Sequence, residues 1–164
     1  MTSSFVVGGN DAIKSSYPLI RKATVIDLQK LVDLEQACFS SDRISRRSYQ
    51  LFLKHSSAEV IVLEVHQKII GSATVLFRKN SKKARLYSIA VHTDYRLQGL
   101  AVMLYAHIEC VVKARQCQLL SLEVRPDNAS AIRFYERHGY KHIGRILGFY
   151  EDGMDALRMQ KKLM

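Results

Sequence analysis

The sequence predicts a single mixed α/β domain, and three observations carry that prediction. Apolar runs of strand length alternate with segments whose apolar residues recur at helical spacing. The breaks between them fall at glycine, asparagine, aspartate and serine. The chain has 164 residues, about one domain's worth, with 48% hydrophobic and 24% charged residues, enough to bury a core. Residues 1–16, with Gly8-Gly9-Asn10 and Ser15-Ser16, read as a flexible tail, leaving 17–164 as the domain.

Taken in order, Pro18 to Ala23 is a first strand. From Asp27 to Glu35 the apolar residues Leu28, Leu31, Val32 and Leu34 repeat with a helical period, Asp27 standing near the start. Ser40 to Arg43 is a loop, and Ser45 caps a second helix reaching His55. Glu59 to His66 and Lys68 to Arg78 are two strands around a tight turn at Gln67. Leu86 to His92 is another strand. Gln98 to Gln116 is the longest helix, its apolar stripe formed by Leu100, Leu104, Ile108 and Val111. Gln118 to Val124 is a buried strand, and Asn128 to His138 is a helix ended by Gly139. Tyr140 to Phe149 and Ala156 to Lys162 close the domain as two strands. There is no internal repeat and no linker.

Composition excludes several classes. No apolar run approaches the ~18 residues that span a bilayer, and the start lacks the pattern of a secretory leader. Three cysteines, Cys38, Cys110 and Cys117, form no CxxC pair, and six histidines are scattered. A reduced, cytoplasmic protein without metal is the expectation. The net charge of +10 draws such a chain towards nucleic acid, ribosomes or acidic small molecules. Its densest run, Arg78 to Arg85, reads as a solvated hairpin loop that grips phosphate; with no aromatic residue it has nothing to stack on bases.

Two residues stand out chemically. Glu123 interrupts the apolar strand Leu119 to Val124. If both faces of that strand are covered, its carboxylate is desolvated, its pKa rises, and it suits proton abstraction from an amine. The competing reading is an ion pair with Arg125 or a tether to a neighbouring loop. Tyr135, on the following helix, packs that helix onto the sheet or donates a proton to a leaving thiolate. Asp127 and Asn128 are both good helix caps, so one is free for another task. Upstream, Tyr95 to Ala101 sits between a strand-like run and the long helix and reads as a polar turn followed by a glycine-opened helix. Such a turn cradles an anion, because first-turn amides lack partners and Gly99 leaves them accessible.

These pieces together resemble the GNAT superfamily of acetyl-CoA-dependent N-acetyltransferases. The likeness rests on Ser88-Ile89-Ala90-Val91, on Arg96-x-x-Gly99-x-Ala101, and on Leu122-Glu123-Val124-Arg125-x-x-Asn128-x-x-Ala131-Ile132-x-x-Tyr135-Glu136-x-x-Gly139-Tyr140. The last piece, and the tail Phe149 to Met159, are similar to the ribosomal-protein-alanine (RimI-like) group. The resemblance implies a mostly antiparallel sheet of six or seven strands, splayed at its centre and flanked by about four helices. It implies that Ile89, Ala90 and Val91 present backbone to acetyl-CoA, that Arg96, Leu97, Gln98, Gly99, Leu100, Ala101 and Val102 wrap its pyrophosphate, and that Asn128 binds its pantetheine arm. Glu123 would be the general base and Tyr135 the general acid. Phe39, Arg43 and Tyr150 would face the acceptor, a protein or peptide amine of the ribosomal kind. Phe39 to Arg43 departs from the Phe-Pro-Trp usual in that group, and Leu97 stands where a second basic residue is frequent. A small amine, a lysine, or a non-catalytic role binding coenzyme A or RNA are the alternatives. Monomer and homodimer are both compatible with the sequence.

Overall fold

Val60, Ile61, Val62 and Leu63 are each at most 2% exposed, so one strand carries apolar side chains buried on both of its faces. That strand, β2 (Ala58–Val65), and its hairpin partner β3 (Lys68–Phe77) form the middle of the packed half of the sheet. Their turn places His66 and Gln67 at positive φ, the two-residue geometry that matches strand twist. The structure, a computed structural model, describes residues 17–96 and 98–163; the amino-terminal segment read as a tail lies outside them.

Around this hairpin the remaining elements are β1 (Leu19–Lys22), α1 (Leu28–Cys38), α2 (Arg46–Lys54), β4 (Lys83–Val91), α3 (Leu100–Ala114), β5 (Leu119–Val124), α4 (Ala129–Arg137), β6 (Lys141–Ile146) and β7 (Ala156–Lys162), with single 3₁₀ turns at Val25–Asp27 and Thr93–Tyr95. The seven strands form one sheet in the order β1-β2-β3-β4-β5-β7-β6. Every neighbouring pair is antiparallel except β4 and β5. Four helices and a mostly antiparallel seven-stranded sheet agree with the expected architecture.

The helices cover the faces unequally. On one side α3 packs Leu104, Ile108 and Val112, all fully buried, against Ile61, Val75, Leu86, Leu120 and Leu122. Each such side chain contributes about 1.5–3 kcal/mol of burial. The buried stripe continues through Val112 rather than the expected Val111, because 104, 108 and 112 keep the i, i+4 spacing. On the other side α1 and α2 lay Leu31, Leu34 and Tyr49 over Val60 and Val62. They do not reach β5, whose exposure alternates along its length: Leu120, Leu122 and Val124 are buried, whereas Leu119, Ser121 and Glu123 are half-buried on the opposite face. The expectation of a strand covered on both faces is therefore corrected: β5 has one covered face, and Glu123 lies on the other.

Strand β4 begins at Lys83, three residues earlier than expected, so part of the basic run is sheet and only Arg78 to Lys82 is loop. β6 ends at Ile146, three residues short of Phe149.

An ion cluster fixes the edge of the packed half. Arg21 donates to both carboxylate oxygens of Asp27 at 2.8 and 2.9 Å and to Glu64 at 2.6 Å, and the Thr24 N–H also bonds Asp27. Asp27 is 4% exposed. The Arg21 hydrogen bonds hold its carboxyl below the usual range against the opposing effect of burial. A depressed carboxyl adds stability that is present above the ordinary value near ~3.9 and lost as pH falls through the folded value. Asp27→Asn should therefore lower stability by about 3 kcal/mol at pH 7, and the difference should shrink towards pH 3, as read from urea unfolding midpoints.

Candidate active site

The site begins where two strands part. β4 and β5 run parallel and pair only through Lys83, Ala84 and Arg85 on one strand with Leu119, Leu120 and Ser121 on the other. Just beyond, β4 carries an extra residue: Leu86 lies opposite Val75 and Ser88 opposite Thr74, so Tyr87 is bulged. A bulge bends its strand and sharpens the local twist. From there to Val91, β4 keeps β3 on one side and has no strand partner on the other among the described residues. β5 meanwhile stays paired with β7 along its full length. The result is a wedge-shaped gap; backbone groups alternate along β4, so Ala90 turns its own to β3 while those of Ile89 and Val91 face the gap, the Val91 carbonyl accepting from Arg96.

Past the gap, Gly99 forms the N-cap of α3 in the left-handed conformation, with φ of 72° and nothing within 4 Å of where a Cβ would stand. Met103 N–H is bonded back to the Gly99 carbonyl at 3.2 Å, so the amides of Leu100, Ala101 and Val102 have no partner within α3. Gln98, Gly99 and Val102 are exposed, whereas Leu100 is buried and anchors the turn. Arg96 is tied to the gap by a 3.3 Å hydrogen bond from its Nε to the Val91 carbonyl. Leu97 lies outside the described residues. Open amides, a positive-φ glycine and the macrodipole of a 15-residue helix suit a diphosphate.

On the β5 side, Asn128 is the cap of α4. Its Oδ1 accepts from Ala131 N–H and Ser130 Oγ–H, both at 3.2 Å. The oxygen is engaged while the side-chain amide N–H₂ remains able to donate to a ligand carbonyl. Asp127, the other candidate cap, pairs with Arg125 instead.

Glu123 is not a lone buried carboxylate. Its side chain is 6% exposed and accepts from Arg85 Nε at 2.9 Å and from Arg158 Nη2 at 3.3 Å. The ion pair with Arg125 that the competing reading offered does not form: β5 ends at Val124, and beyond it Arg125 turns its guanidinium to Asp127 and Asp152. Arg158 could have been anticipated only from strand register, which places it opposite Glu123 on β7. Arg85 was masked by the basic run around it.

Tyr135 is 8% exposed, with the rings of Phe134 and Tyr140 at 5.6 and 5.5 Å. Burial, and then the neighbouring Tyr150, push its phenol above the usual value, so it is protonated at neutral pH. Tyr150 lies within electrostatic reach of both the candidate acid and the candidate base. Burial pushes its phenol up to about 12, Arg125 opposes that shift, and Glu123 adds to it. The Arg125 guanidinium lies 4.8 Å from the Tyr150 ring centre.

Arg125 also joins the two acceptor-side loops. It bonds Asp152 at 2.6 Å and reaches Asp42 at 3.7 Å, while Glu151 N–H donates to Asp42 at 2.9 Å. Arg43 folds back onto the Phe39 carbonyl at 2.6 Å. The structure thus brings the Phe39–Arg43 segment against the loop holding Tyr150, where Asp152 pairs with Arg125, Asp155 with Arg145 and Gly148 N–H, and Glu151 is exposed. Cys117 is buried, which raises its thiol pKa, and Cys110 is exposed on α3. The described residues contain no cluster suited to a metal ion and no helix long and apolar enough to cross a membrane.

Residues 28–140 match the acetyltransferase (GNAT) family. The chain belongs to the GNAT acetyltransferase family. An acetyltransferase of Yersinia pestis is 35% identical over 95 residues, which is 58% of this chain and 66% of that protein, so the chain spans slightly under two thirds of that relative. An N-alpha-acetyltransferase of Sulfurisphaera tokodaii is 26% identical over an alignment of 167 residues, covering 93% of this chain and 98% of that one. Among solved structures, a ribosomal-protein-alanine N-acetyltransferase from Escherichia coli superimposes with a TM-score of 0.80 and 27% identity over 89% of this chain and 94% of its own. The PaiA N-acetyltransferase of Thermoplasma acidophilum, solved with coenzyme A, shares the GNAT fold at a TM-score of 0.77 and 18% identity, over 90% of this chain and 99% of its own.

Proposed function

We propose that this GNAT protein is an acetyl-CoA-dependent transferase whose acceptor is the N-terminal α-amine of a protein, with ribosomal proteins as the leading class. The observation that carries the reading is the gap between β4 and β5, with Glu123 on the β5 strand that borders it and the buried Tyr135 on the helix that follows. The likeness to an N-alpha-acetyltransferase and to a ribosomal-protein-alanine enzyme supports the choice of acceptor. The ion pairing of Asp152 and Asp155 leaves Glu151 as the exposed acid of that loop, which favours a peptide acceptor over a polyamine.

Acetyl-CoA, when bound, supplies an activated acetyl thioester. The chain's residues do the rest. Backbone groups of Ile89 and Val91 align the pantetheine arm as an added strand, the Asn128 amide donates to it, and Arg96 to Val102 hold the phosphates. An α-amine has a pKa of ~8, so at neutral pH most of it is protonated and cannot attack. Glu123 takes that proton, directly or through one water. A backbone N–H beside Val91 stabilises the developing oxyanion. Tyr135 then gives its proton to the departing thiolate.

Tyr135→Phe keeps the ring packing and deletes the donor. It should lower kcat by about 10²-fold or more with the KM for acetyl-CoA nearly unchanged, measured by thiol release. The acceptor class is tested by mass spectrometry on two peptide pools, one with free N-termini and blocked lysines, the other reversed. Acetylation confined to the first pool supports the reading; acetylation confined to the second makes the protein a lysine acetyltransferase.

A further inference from the structure

The uncovered face of β5 opens onto a groove of about 510 Å³ that the chemistry above uses only at Glu123. It runs from Glu123 across Ser121 towards the β3–β4 hairpin. Its charged lining is Arg78, Lys83, Arg85 and Arg158 against the single carboxylate of Glu123, a net charge of +3. We propose that this groove receives acidic residues close behind the acceptor's α-amine, and that their carboxylates compete for Arg85 and Arg158 and so release Glu123 to act as base. The inference rests on the transferase reading and names its substrate class: polypeptides whose first few residues after the N-terminus include aspartate or glutamate.

The geometry argues for it in three ways. First, Glu123 as it stands is pinned by two guanidiniums at 2.9 and 3.3 Å, one on each carboxylate oxygen. A group that draws those cations away leaves the oxygens open to an amine. Second, the cations have donors to spare. Arg85 uses its Nε and Arg158 one Nη2 on Glu123, while a guanidinium carries five N–H groups in a fork that fits a carboxylate. Their side chains are 37% and 46% exposed, so a second carboxylate reaches them from the groove. Third, the lining suits a peptide better than RNA. Phe77 is the groove's one aromatic residue, and the Arg115 guanidinium occupies a face of its ring at 4.1 Å, so the groove lacks the row of aromatic platforms on which successive bases stack. A basic peptide would add cations to a groove that already has an excess of them.

The test compares three peptides that share one N-terminal residue and differ at positions two to four: acidic, neutral or basic. Transfer is followed by thiol release with acetyl-CoA, and binding of a fluorescent acidic peptide to the coenzyme A-loaded protein by anisotropy. The expected result is a preference for the acidic over the neutral peptide of about 10-fold in kcat/KM, and more over the basic one. In Arg158→Gln and in Arg85→Gln that ratio should fall towards one, and Arg158→Lys should restore part of it. Transfer with no acidic preference, or with a preference that both variants retain, overturns the groove assignment while leaving the transferase reading intact. Acid-selective binding lost in Arg158→Gln, without transfer to any peptide, upholds the groove and overturns the transferase reading. A single-stranded oligonucleotide that displaces the acidic peptide, and binds more tightly than it does, overturns the proposal in favour of nucleic acid.

Discussion

Glu123→Gln is expected to lower turnover ~10²–10⁴-fold and to leave acetyl-CoA affinity nearly unchanged. Glutamine preserves the shape of the side chain, and its oxygen still accepts from one of the two arginines, so the sheet around β5 stays in place. The change removes the group that accepts a proton from the amine. Its pH dependence separates this role from a structural one. Above the amine's own pKa near ~8 the acceptor arrives already neutral, so the deficit should narrow as pH rises from 7 to 9.5. A uniform deficit at every pH would mean that Glu123 acts by holding Arg85 and Arg158 in position. Full activity across the range would remove it from the chemistry.

Gly99→Val should raise the KM for acetyl-CoA by about 10-fold or more while changing kcat much less. Two causes combine. A β-branched residue at φ of 72° costs roughly 1–2 kcal/mol or more of backbone strain. Its methyl groups also occupy the open space through which a phosphate approaches the first-turn amides of α3. Gly99→Asn separates the two, because asparagine tolerates the left-handed region yet still obstructs the approach. If the asparagine variant keeps native thermal stability and still binds acetyl-CoA poorly, obstruction is the cause. Unaltered KM in both variants would move the phosphate site away from this turn.

Much of the fold was legible because local signals agreed with one another. Ser45 caps α2 through a hydrogen bond from Ser48 N–H, as its sequence context predicted. Asn128 does the same for α4, and the β2–β3 turn falls at Gln67. The start of β4 was missed because its alternation is written in charged residues: Lys83 and Arg85 point out while Ala84 and Leu86 are buried. A run of cations hides a period of two when polarity is read before periodicity.

The candidate site was legible residue by residue, and its electrostatics were not. Glu123 and Tyr135 stood out as a carboxylate in an apolar strand and a tyrosine on the next helix. The two arginines on Glu123 come from β4 and β7, elements 38 and 35 residues away in sequence. Only the register of the sheet brings them there. The gap opens beside a single bulged residue, Tyr87, and no local propensity announces it. The pairing of Arg125 with Asp42 and Asp152 likewise joins two loops that share no local signal.

If acetyl-CoA lies in the gap between β4 and β5 with its phosphates on the α3 turn, amide hydrogen exchange will show where it binds. Acetyl-CoA should add protection in two segments, residues 89–91 and 99–102, with little change in β1, β2 or the Arg78–Lys82 hairpin. Protection centred on that hairpin and the groove beside it, with the α3 turn exchanging as before, would contradict that placement.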